Sequence, residues 1–175
     1  MIRTKIHTTN KLEKLVKKLI TTDSKSESGI LGKWNATIFY VSRKKCWLIS
    51  NGITKYNVLL TDIKTADFSN IEQIFKEALF GQLVYDGIVI DFEKLNSIIG
   101  KLDFLPTDND RSTTGFQNQR LEQMEWWKYD LGSLENMPIK DLANRMNSVP
   151  IHIGKSKRMS DFTNSIKEMK KVLAE

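Results

Sequence analysis

The sequence predicts an α+β fold in which a small antiparallel sheet of three or four strands, arranged as a hairpin or meander, is flanked by about six helices. Two observations lead to this prediction. Apolar residues recur at helical spacing in several segments. Residues 34–61 are instead rich in aromatic and β-branched residues and contain tight-turn signals. A chain of 175 residues has the size of one domain, and no repeat or linker divides it, so we expect one compact domain over residues 1–175.

The first predicted element is a helix over residues 10–20. Its apolar residues form one stripe with helical spacing: Leu12, Leu15, Val16, Leu19 and Ile20. Asn10 and Glu13 have the spacing of a capping box. The polar residues 21–29 that follow predict a mobile loop.

Three strands are predicted next, over residues 34–41, 46–50 and 56–61, because aromatic and β-branched residues dominate them. The basic residues 42–45 form a turn between the first two strands. Asn51-Gly52 marks a tight turn before the third. Strands joined by short turns pair antiparallel, so we expect a three-stranded meander.

The middle of the chain predicts two further helices and a fourth strand. A capping box at residues 69–72 begins a helix with an apolar stripe between residues 71 and 83. A shorter helix over residues 91–99 ends at Gly100, because glycine readily adopts the conformation that closes a helix. Residues 102–105 are the candidate fourth strand.

The C-terminal part predicts three more helices. Ser112 can cap the first of them. The apolar residues of that helix share one face: Leu121, Met124, Trp127 and Leu131. Pro138 suits the first turn of the next helix. A basic loop at residues 155–158 leads to a last helix capped by Ser160, so residues 155–175 are expected to form a basic C-terminal loop and helix.

The net charge of +6 is distributed in blocks along the chain. Residues 1–64 carry 13 Lys or Arg and 4 Asp or Glu, residues 65–142 carry 7 and 14, and residues 143–175 carry 7 and 3. Clustered cations favour an anionic partner, because neutralising a polyanion releases counterions. Charged parts of one fold that neutralise each other would give the same blocks, and the sequence leaves both interpretations open.

Several protein classes are excluded by composition. No apolar run approaches the roughly 20 residues that cross a bilayer, and residues 1–7 lack the apolar core of a signal peptide, so no membrane association is expected. Cys46 is the only cysteine, which excludes an intrachain disulfide and a cysteine-rich zinc site. No Gly-rich phosphate loop, nucleophile elbow or paired-cysteine motif occurs. We expect a cytoplasmic protein without a cofactor.

The strongest candidate site is the polar segment at residues 107–118, between the fourth predicted strand and the following helix. It combines carboxylates, amides, an arginine, hydroxyls and a glycine, and functional groups often lie where a rigid element can aim them. In one interpretation Arg111, Ser112 and Asn118 bind a ligand. In another, the segment serves structure only, through turns, helix caps and ion pairs.

A third interpretation of this segment is a metal site. Asp103, Asp108 and Asp110 offer the hard oxygen ligands that magnesium prefers, and Arg111 would stabilise negative charge on a phosphoryl group. Two-metal nucleases and phosphatases need this mixture of residues, but the spacing is not diagnostic.

The predicted hairpin tip is a second candidate contact region. Arg43, Lys44 and Lys45 could grip a phosphate backbone, with Trp47 and Tyr40 nearby to stack a base. Basic turns also serve solubility, and strand aromatics are commonly core residues.

Trp126 and Trp127 form the third candidate feature. Neighbouring residues point about 100° apart on a helix, so the two rings cannot both enter the same core layer. The register of Trp127 with Met124 predicts that Trp127 is buried and that Trp126 lies at an interface. A large core that accepts both rings is the alternative.

A series of motifs follows the chain: Thr9-Asn10-Lys11-Leu12, Leu31-Gly32 with Trp34 and Ala36, Arg43-Lys44-Lys45-Cys46, Ser50-Asn51 with Thr54, Ala66-Asp67, Asn109-Asp110-Arg111-Ser112 with Gly115 and Asn118, and Asn144-Arg145-Met146-Asn147 with Pro150. Their order resembles a family of bacterial proteins of unknown function. Members of that family are small cytoplasmic proteins, sometimes fused to domains typical of plasmids and transposons, which implies a role near mobile elements or in defence. The chain departs from its relatives at residues 155–158, where they are more apolar and contain proline.

The sequence therefore predicts a non-catalytic binding or regulatory module with an anionic partner, either nucleic acid or an acidic protein. The first alternative is a metal-dependent phosphoryl-transfer enzyme that acts on nucleic acid and uses Asp108 and Asp110 with magnesium. The second is a scaffold that binds a protein partner through Trp126.

Overall fold

A five-stranded sheet lies at the centre of the molecule. The structure is a computed structural model that describes residues 1–22, 24–154 and 158–175. Its strands are β1 (Arg3–Thr8), β2 (Trp34–Val41), β3 (Lys44–Asn51), β4 (Asn57–Leu60) and β5 (Lys101–Leu105). The α-helices among the described residues are α1 (Asn10–Glu13), α2 (Ile71–Tyr85), α3 (Phe92–Ile99), α4 (Arg111–Leu131), α5 (Ile139–Ser148) and α6 (Ser165–Leu173). The α+β class predicted from the sequence is confirmed.

The predicted meander is confirmed by the antiparallel pairing of β2 with β3 and of β3 with β4. Its first turn is shorter than predicted. Ser42 and Arg43 form it with φ angles of 48° and 68°, the left-handed conformation of a two-residue hairpin loop. Lys44 and Lys45 belong to β3.

The prediction of a purely antiparallel sheet with three or four strands is wrong. The strand order is β4-β3-β2-β1-β5, and β1 pairs parallel with both β2 and β5. No apolar pattern marks β1, because two of its buried residues are threonines. Thr4 Oγ1 donates to the carbonyl oxygen of Ile99 at 2.6 Å, and Thr8 Oγ1 donates to that of Leu105 at 3.0 Å.

Helices cover both faces of the sheet. On the first face, the core includes Trp34 of β2, Phe75 of α2 and Met169 of α6. On the second face, Phe39 of β2 packs in a core with Met124 of α4 and with residues of α5. Seven of the eight residues of β2 are buried, including the polar Asn35 and Thr37, because helices cover both faces of this central strand.

The predicted helix over residues 10–20 is too long. α1 ends at Glu13, and Lys17–Leu19 form a separate 3-10 helix. Ile20 then pairs with Phe104 at the outer edge of β5. Strand pairing therefore takes over the end of a segment whose apolar spacing is helical, because tertiary contacts outweigh local propensity.

Four predicted helix caps are also wrong. Thr9, rather than Asn10, caps α1, and α2 begins without the side-chain cap predicted at residues 69–72. Asp110, rather than Ser112, caps α4, and Asn164, rather than Ser160, caps α6. Aspartate, asparagine and serine are nearly equivalent as caps. When several of them lie near a helix start, apolar spacing locates the helix without identifying its first residue.

Some predictions fall outside the described residues. They concern Asp23, within the predicted loop at residues 21–29, and Lys155, Ser156 and Lys157, within the predicted basic loop. Among the residues that are described, no helix is both long and apolar enough to cross a bilayer.

Candidate functional site

The two parallel strands β1 and β5 end side by side at one edge of the sheet. From there the chain leaves them toward opposite faces. After β1 it enters α1, whose Leu12 is buried in the first core, and after β5 it enters α4, whose Met124 is buried in the second. Connections that diverge in this way leave a crevice beyond the carboxyl ends of the strands, a common position for a ligand in α/β sheets.

A cavity of about 430 Å³ occupies this position, and we call it the crevice. Polar groups from three segments line it: Thr9, Asn10, Thr107, Asn109, Arg111, Thr114, Gly115 and Asn118. Among the described residues that line the crevice, Arg111 alone is charged. Its side chain makes no hydrogen bond or ion pair with any residue that the structure describes. The crevice therefore presents one cation, amides and hydroxyls, without a carboxylate.

The loop that leads into α4 is held by its own side chains. Thr107 Oγ1 accepts a hydrogen bond from the N–H of Asn109 at 3.2 Å. Asn109 has a left-handed φ of 56°, which asparagine tolerates better than most residues. Asp110 then caps the helix, with Oδ1 3.1 Å from the Thr113 N–H nitrogen and Oδ2 2.7 Å from Thr113 Oγ1. These contacts set the direction in which α4 begins.

The two aspartates of the segment turn away from the crevice toward Lys33. The Lys33 ammonium donates to Asp108 and also to Asp110 Oδ2, the latter at 2.8 Å. Asn35 Nδ2 donates to the second oxygen of Asp108 at 3.0 Å. The structure thus brings Arg111 and Asn118 together at the crevice and separates them from Asp108 and Asp110.

Electrostatics keep this group of side chains charged. Burial opposes ionisation of Asp108 and Asp110, but hydrogen bonds, chiefly from Lys33, outweigh it and lower the pKa of both carboxyls. Burial likewise opposes the charge of Lys33, while the two aspartates raise its pKa overall. A magnesium ion at these carboxylates would have to displace the ammonium. Within the described parts of the chain, no group of three or more His, Cys, Asp or Glu side chains could hold a metal ion.

Gln117 anchors α4 to the sheet. Its side chain is fully buried, and Nε2 donates to the Asn35 carbonyl oxygen at 2.9 Å and lies 3.2 Å from Ser50 Oγ. Thr113 is buried one turn earlier on the same side of the helix. Arg111 and Asn118 therefore point to the other side, because the helix repeats every 3.6 residues.

The remaining predicted contact residues do not line the crevice. Ser112 is exposed in the first turn of α4, beside the lining rather than in it. At the hairpin, Arg43 and Lys45 are exposed, whereas Lys44 forms an ion pair with Glu135.

The hairpin tip is distant from the crevice. Thr8 at the end of β1 pairs with Ala36, and β2 continues for five more residues to Val41. At about 3.3 Å per residue, the tip stands roughly 17 Å beyond the end of β1. The basic tip and the crevice are therefore two separate surfaces.

Trp126 and Trp127 differ as their helical register predicts. Trp127 is partly buried against the second core, whereas 73% of Trp126 is exposed. Tyr129, one turn further along α4, is 86% exposed. An aromatic pair thus faces solvent away from the crevice lining.

Thr9 and Asn10 belong to the crevice, and sequence reasoning does not place them there. Their position depends on β1, whose parallel pairing brings the residue after Thr8 next to the loop after Leu105. The signal that could have revealed β1 is the alternation in Arg3–Thr8. Ile6 is its only apolar residue, so the alternation is carried mainly by threonines.

Comparison with known proteins identifies a family but no activity. No curated protein and no solved structure matches the chain. The model of one family, described as a domain of unknown function (DUF6933), matches residues 5–168. That match spans nearly the whole chain, in agreement with the resemblance to a family of unknown function. The chain therefore belongs to the DUF6933 family.

Proposed function

We propose that this protein is a non-catalytic binding module that holds an anionic group of its partner in the crevice. The observation that carries the proposal is the guanidinium of Arg111, which has no partner among the described residues and lies in a lining to which those residues contribute no carboxylate. The nearest acidic residues along the chain, Asp108 and Asp110, are engaged with Lys33. A cation that no described residue pairs is available to a phosphate or a carboxylate, both of which match the fork of an arginine side chain.

Neighbouring groups add donors for the same anion. The crevice lies at the N-terminal end of α4, where helix N–H groups lack intrahelical acceptors and the helix dipole favours negative charge. The Asn118 amide and the Thr114 hydroxyl also line the crevice. The lining contains neither histidine nor cysteine nor carboxylate, so it offers no evident nucleophile or general base, and binding is the chemistry that it supports.

Two classes of partner fit this chemistry, nucleic acid and an acidic protein. The exposed Arg43 and Lys45 at the hairpin tip would supply a second contact for an extended polyanion. A role near mobile elements or in defence, implied by the family resemblance, remains part of this proposal.

The test measures binding by fluorescence anisotropy with two labelled probes, a DNA duplex of about 20 base pairs and a poly-glutamate peptide. We expect affinity for at least one probe to fall steeply with salt. Arg111→Gln should weaken binding about tenfold, or roughly 1.4 kcal/mol. The matched control is Lys94→Gln, which removes one exposed charge from α3. Salt-independent binding, or equal losses in Arg111→Gln and Lys94→Gln, would contradict the proposal.

The exposure of Trp126 supports a second candidate function, a scaffold that binds a protein through α4. Exposed aromatic side chains are enriched at interface centres. The test compares proteins that copurify with the native chain and with Trp126→Ala. We expect Trp126→Ala to lose the complex without a change in melting temperature, and Gln119→Ala, at an exposed position of the same helix, to keep it. Retention of the same complex by Trp126→Ala would contradict this function.

A further inference from the structure

Part of the edge of β2 has no strand of the described residues beside it. Thr8 pairs with Ala36, and the Thr9 N–H donates to the Ala36 carbonyl oxygen at 3.0 Å, which ends the pairing with β1. Backbone groups alternate in direction along a strand, so the N–H and C=O groups of Ile38 and Tyr40 point the same way as those of Ala36. They face away from β3, and no described residue forms a backbone hydrogen bond with them on that side.

The two outer edges of the sheet, on β5 and β4, differ from this part of β2 because other segments bond to their backbone. At the β5 edge, the N–H of Thr21 donates to the carbonyl oxygen of Phe104 at 2.9 Å. At the β4 edge, the Asn147 side chain makes the two hydrogen bonds that a neighbouring strand would make. Its Oδ1 accepts from the Asn57 N–H at 2.7 Å, and its Nδ2 donates to the Asn57 carbonyl oxygen at 3.1 Å. Proteins commonly cover exposed strand edges because such edges pair with other chains. Among the described residues, the outer half of β2 has no cover of either kind.

The open edge lies in a groove of about 480 Å³ between α1 and α4, which we call the edge groove. Lys11 of α1 forms one wall, with its Nζ 5.8 Å from the centre of the Tyr40 ring. The other wall consists of residues of α4: Asn118, Leu121, Glu122, Glu125 and Lys128. Asn118 also lines the crevice, so the edge groove and the crevice adjoin.

We propose that the edge groove binds the C-terminal residues of a partner polypeptide, which add a strand to β2 and place their terminal carboxylate in the crevice. Unpaired N–H and C=O groups of a strand are complementary to an extended peptide. A nucleic acid has no such row of alternating donors and acceptors. The inference rests on the proposed function, because Arg111 receives the negative charge.

Two features determine the direction of the bound strand. A strand beside Ile38 and Tyr40 lies in line with β1, so Thr8 and Thr9 prevent it from continuing past Ala36. It must end there, at Thr9, which lines the crevice together with Arg111. A chain that ended with its amino group would bring two cations together, whereas a carboxylate forms a charge-assisted pair. The bound strand therefore runs antiparallel to β2.

The length of the open edge limits the peptide. From Ala36 to Tyr40 the edge measures about 13 Å, which four or five extended residues cover. Their side chains alternate between the two walls. Those on the α4 side meet Leu121, and we expect apolar residues there, whereas those on the α1 side meet Lys11.

The experiment uses pools of pentapeptides with fluorescein at the N-terminus and Val, Thr, Leu, Glu or Lys varied at each position. One pool ends in a free carboxylate and the other in a carboxamide. We expect the carboxylate pool to bind and the carboxamide pool to bind at least about tenfold more weakly. Equal binding of the two pools, or no binding at about 1 mM peptide, would overturn the inference.

Amide hydrogen exchange tests where the peptide lies. Addition of the carboxylate pool should slow exchange at Ile38 and Tyr40, because their N–H groups gain acceptors. The amide of Val89, whose side chain is fully exposed and which lines neither the groove nor the crevice, should be unaffected. Binding without protection at Ile38 and Tyr40 would show that the peptide lies elsewhere and would overturn the inference.

Matched variants of α4 complete the test. Gly115 lines the crevice, and a Cβ built there has no atom outside its own helix backbone within 4 Å, so the side chain of Gly115→Leu begins in the open space of the crevice. It should abolish peptide binding. Gln119→Leu adds an equally large side chain at an exposed position outside the lining and should leave binding unchanged. Unchanged binding in Gly115→Leu would overturn the inference.

Failure of this inference differs from failure of the proposed function. If Arg111→Gln weakens binding to the DNA or poly-glutamate probe while neither peptide pool binds, the crevice takes an anion but the edge groove takes no strand. That result overturns the inference alone. If Arg111→Gln changes no binding at all, both proposals are wrong.

Discussion

The polar segment at residues 107–118 contains two groups of side chains with opposite surroundings. Asp108 and Asp110 are engaged by Asn35 and Lys33, and the Gln117 amide nitrogen donates to the sheet. Arg111 and Asn118 point to the crevice and have no hydrogen-bond partner among the described residues. Residue types alone do not distinguish the groups, since each mixes a charged side chain with an amide. The direction in which α4 presents them decides which group supports the fold and which is available to a ligand.

The largest expected effect comes from replacing Asp110, which lies at the centre of the side chains that have internal partners. Asp110→Ala removes the cap of α4, the hydroxyl contact of Thr113 and one partner of Lys33. We expect the free energy of unfolding to fall by about 2–3 kcal/mol, because a lost cap costs about 1 kcal/mol and a charged hydrogen bond about as much again or more. Urea denaturation measures the change. Asp130→Ala removes an exposed carboxylate from the same helix and should have little effect. Similar losses in the two variants would show that the contacts of Asp110 do not stabilise the fold.

A smaller, pH-dependent effect is expected from Lys33→Met. The pKa values of Asp108 and Asp110 are depressed below 3.8, so their stabilisation is present above that pH and is lost as pH falls through the lowered values. The raised pKa of Lys33 keeps its contribution present below pH 10.5. Lys33 is 35% exposed, and screening keeps the loss to about 1 kcal/mol.

Denaturation of native protein and Lys33→Met at about pH 6 and about pH 2.5 measures this effect. The difference in unfolding free energy should be fully present at the higher pH and clearly smaller at the lower one. It does not vanish there, because the strongly lowered pKa of Asp110 keeps that carboxylate charged in the folded protein. Other carboxylates with lowered pKa, such as Asp103 beside Arg3, weaken both proteins equally in acid and do not enter the difference. A difference of the same size at both pH values would show that Lys33 acts through packing rather than through its charge.

The sequence reveals the parts of the fold that rest on local pattern. The meander was predictable because aromatic and β-branched residues fill β2 and a tight turn follows β3. The helix that ends at Gly100 was predictable because the glycine has the required positive φ of 63°. β1 was not predictable, because its buried threonines depend on the Ile99 and Leu105 carbonyls about 100 residues away.

The candidate site was predictable in position but only partly in composition. A dense polar segment before an amphipathic helix pointed to residues 107–118, and Arg111 and Asn118 indeed lie together at the crevice. The separation of Asp108 and Asp110 from them depends on Lys33, which lies in a loop far away in sequence. No local pattern reports that contact. The contribution of Thr9 and Asn10 was hidden for the same reason as β1.

A still smaller effect, a gain in stability, is expected at Gly115 on the crevice side of α4. Gly115 lies in the helix interior, where glycine is less favourable than alanine by about 0.5–1 kcal/mol. Because a Cβ at this position meets no other atom, Gly115→Ala should raise the free energy of unfolding by about that amount. Urea denaturation measures the gain. A loss of stability would mean that the crevice side of α4 is packed at Gly115 rather than open.

The smallest effect on stability is expected for Arg111→Gln. This variant tests most directly whether the side chains at the crevice serve binding or the fold. Arg111 is exposed and has no partner among the described residues, so its removal should change the free energy of unfolding by less than about 0.5 kcal/mol. The same substitution should weaken anion binding, because the guanidinium is the one charge that the described residues bring to the crevice lining. When a side chain mainly supports the fold, its removal lowers both stability and binding. A variant that keeps its stability and loses its ligand assigns Arg111 to recognition, whereas destabilisation as large as that of Asp110→Ala would place Arg111 among the structural residues.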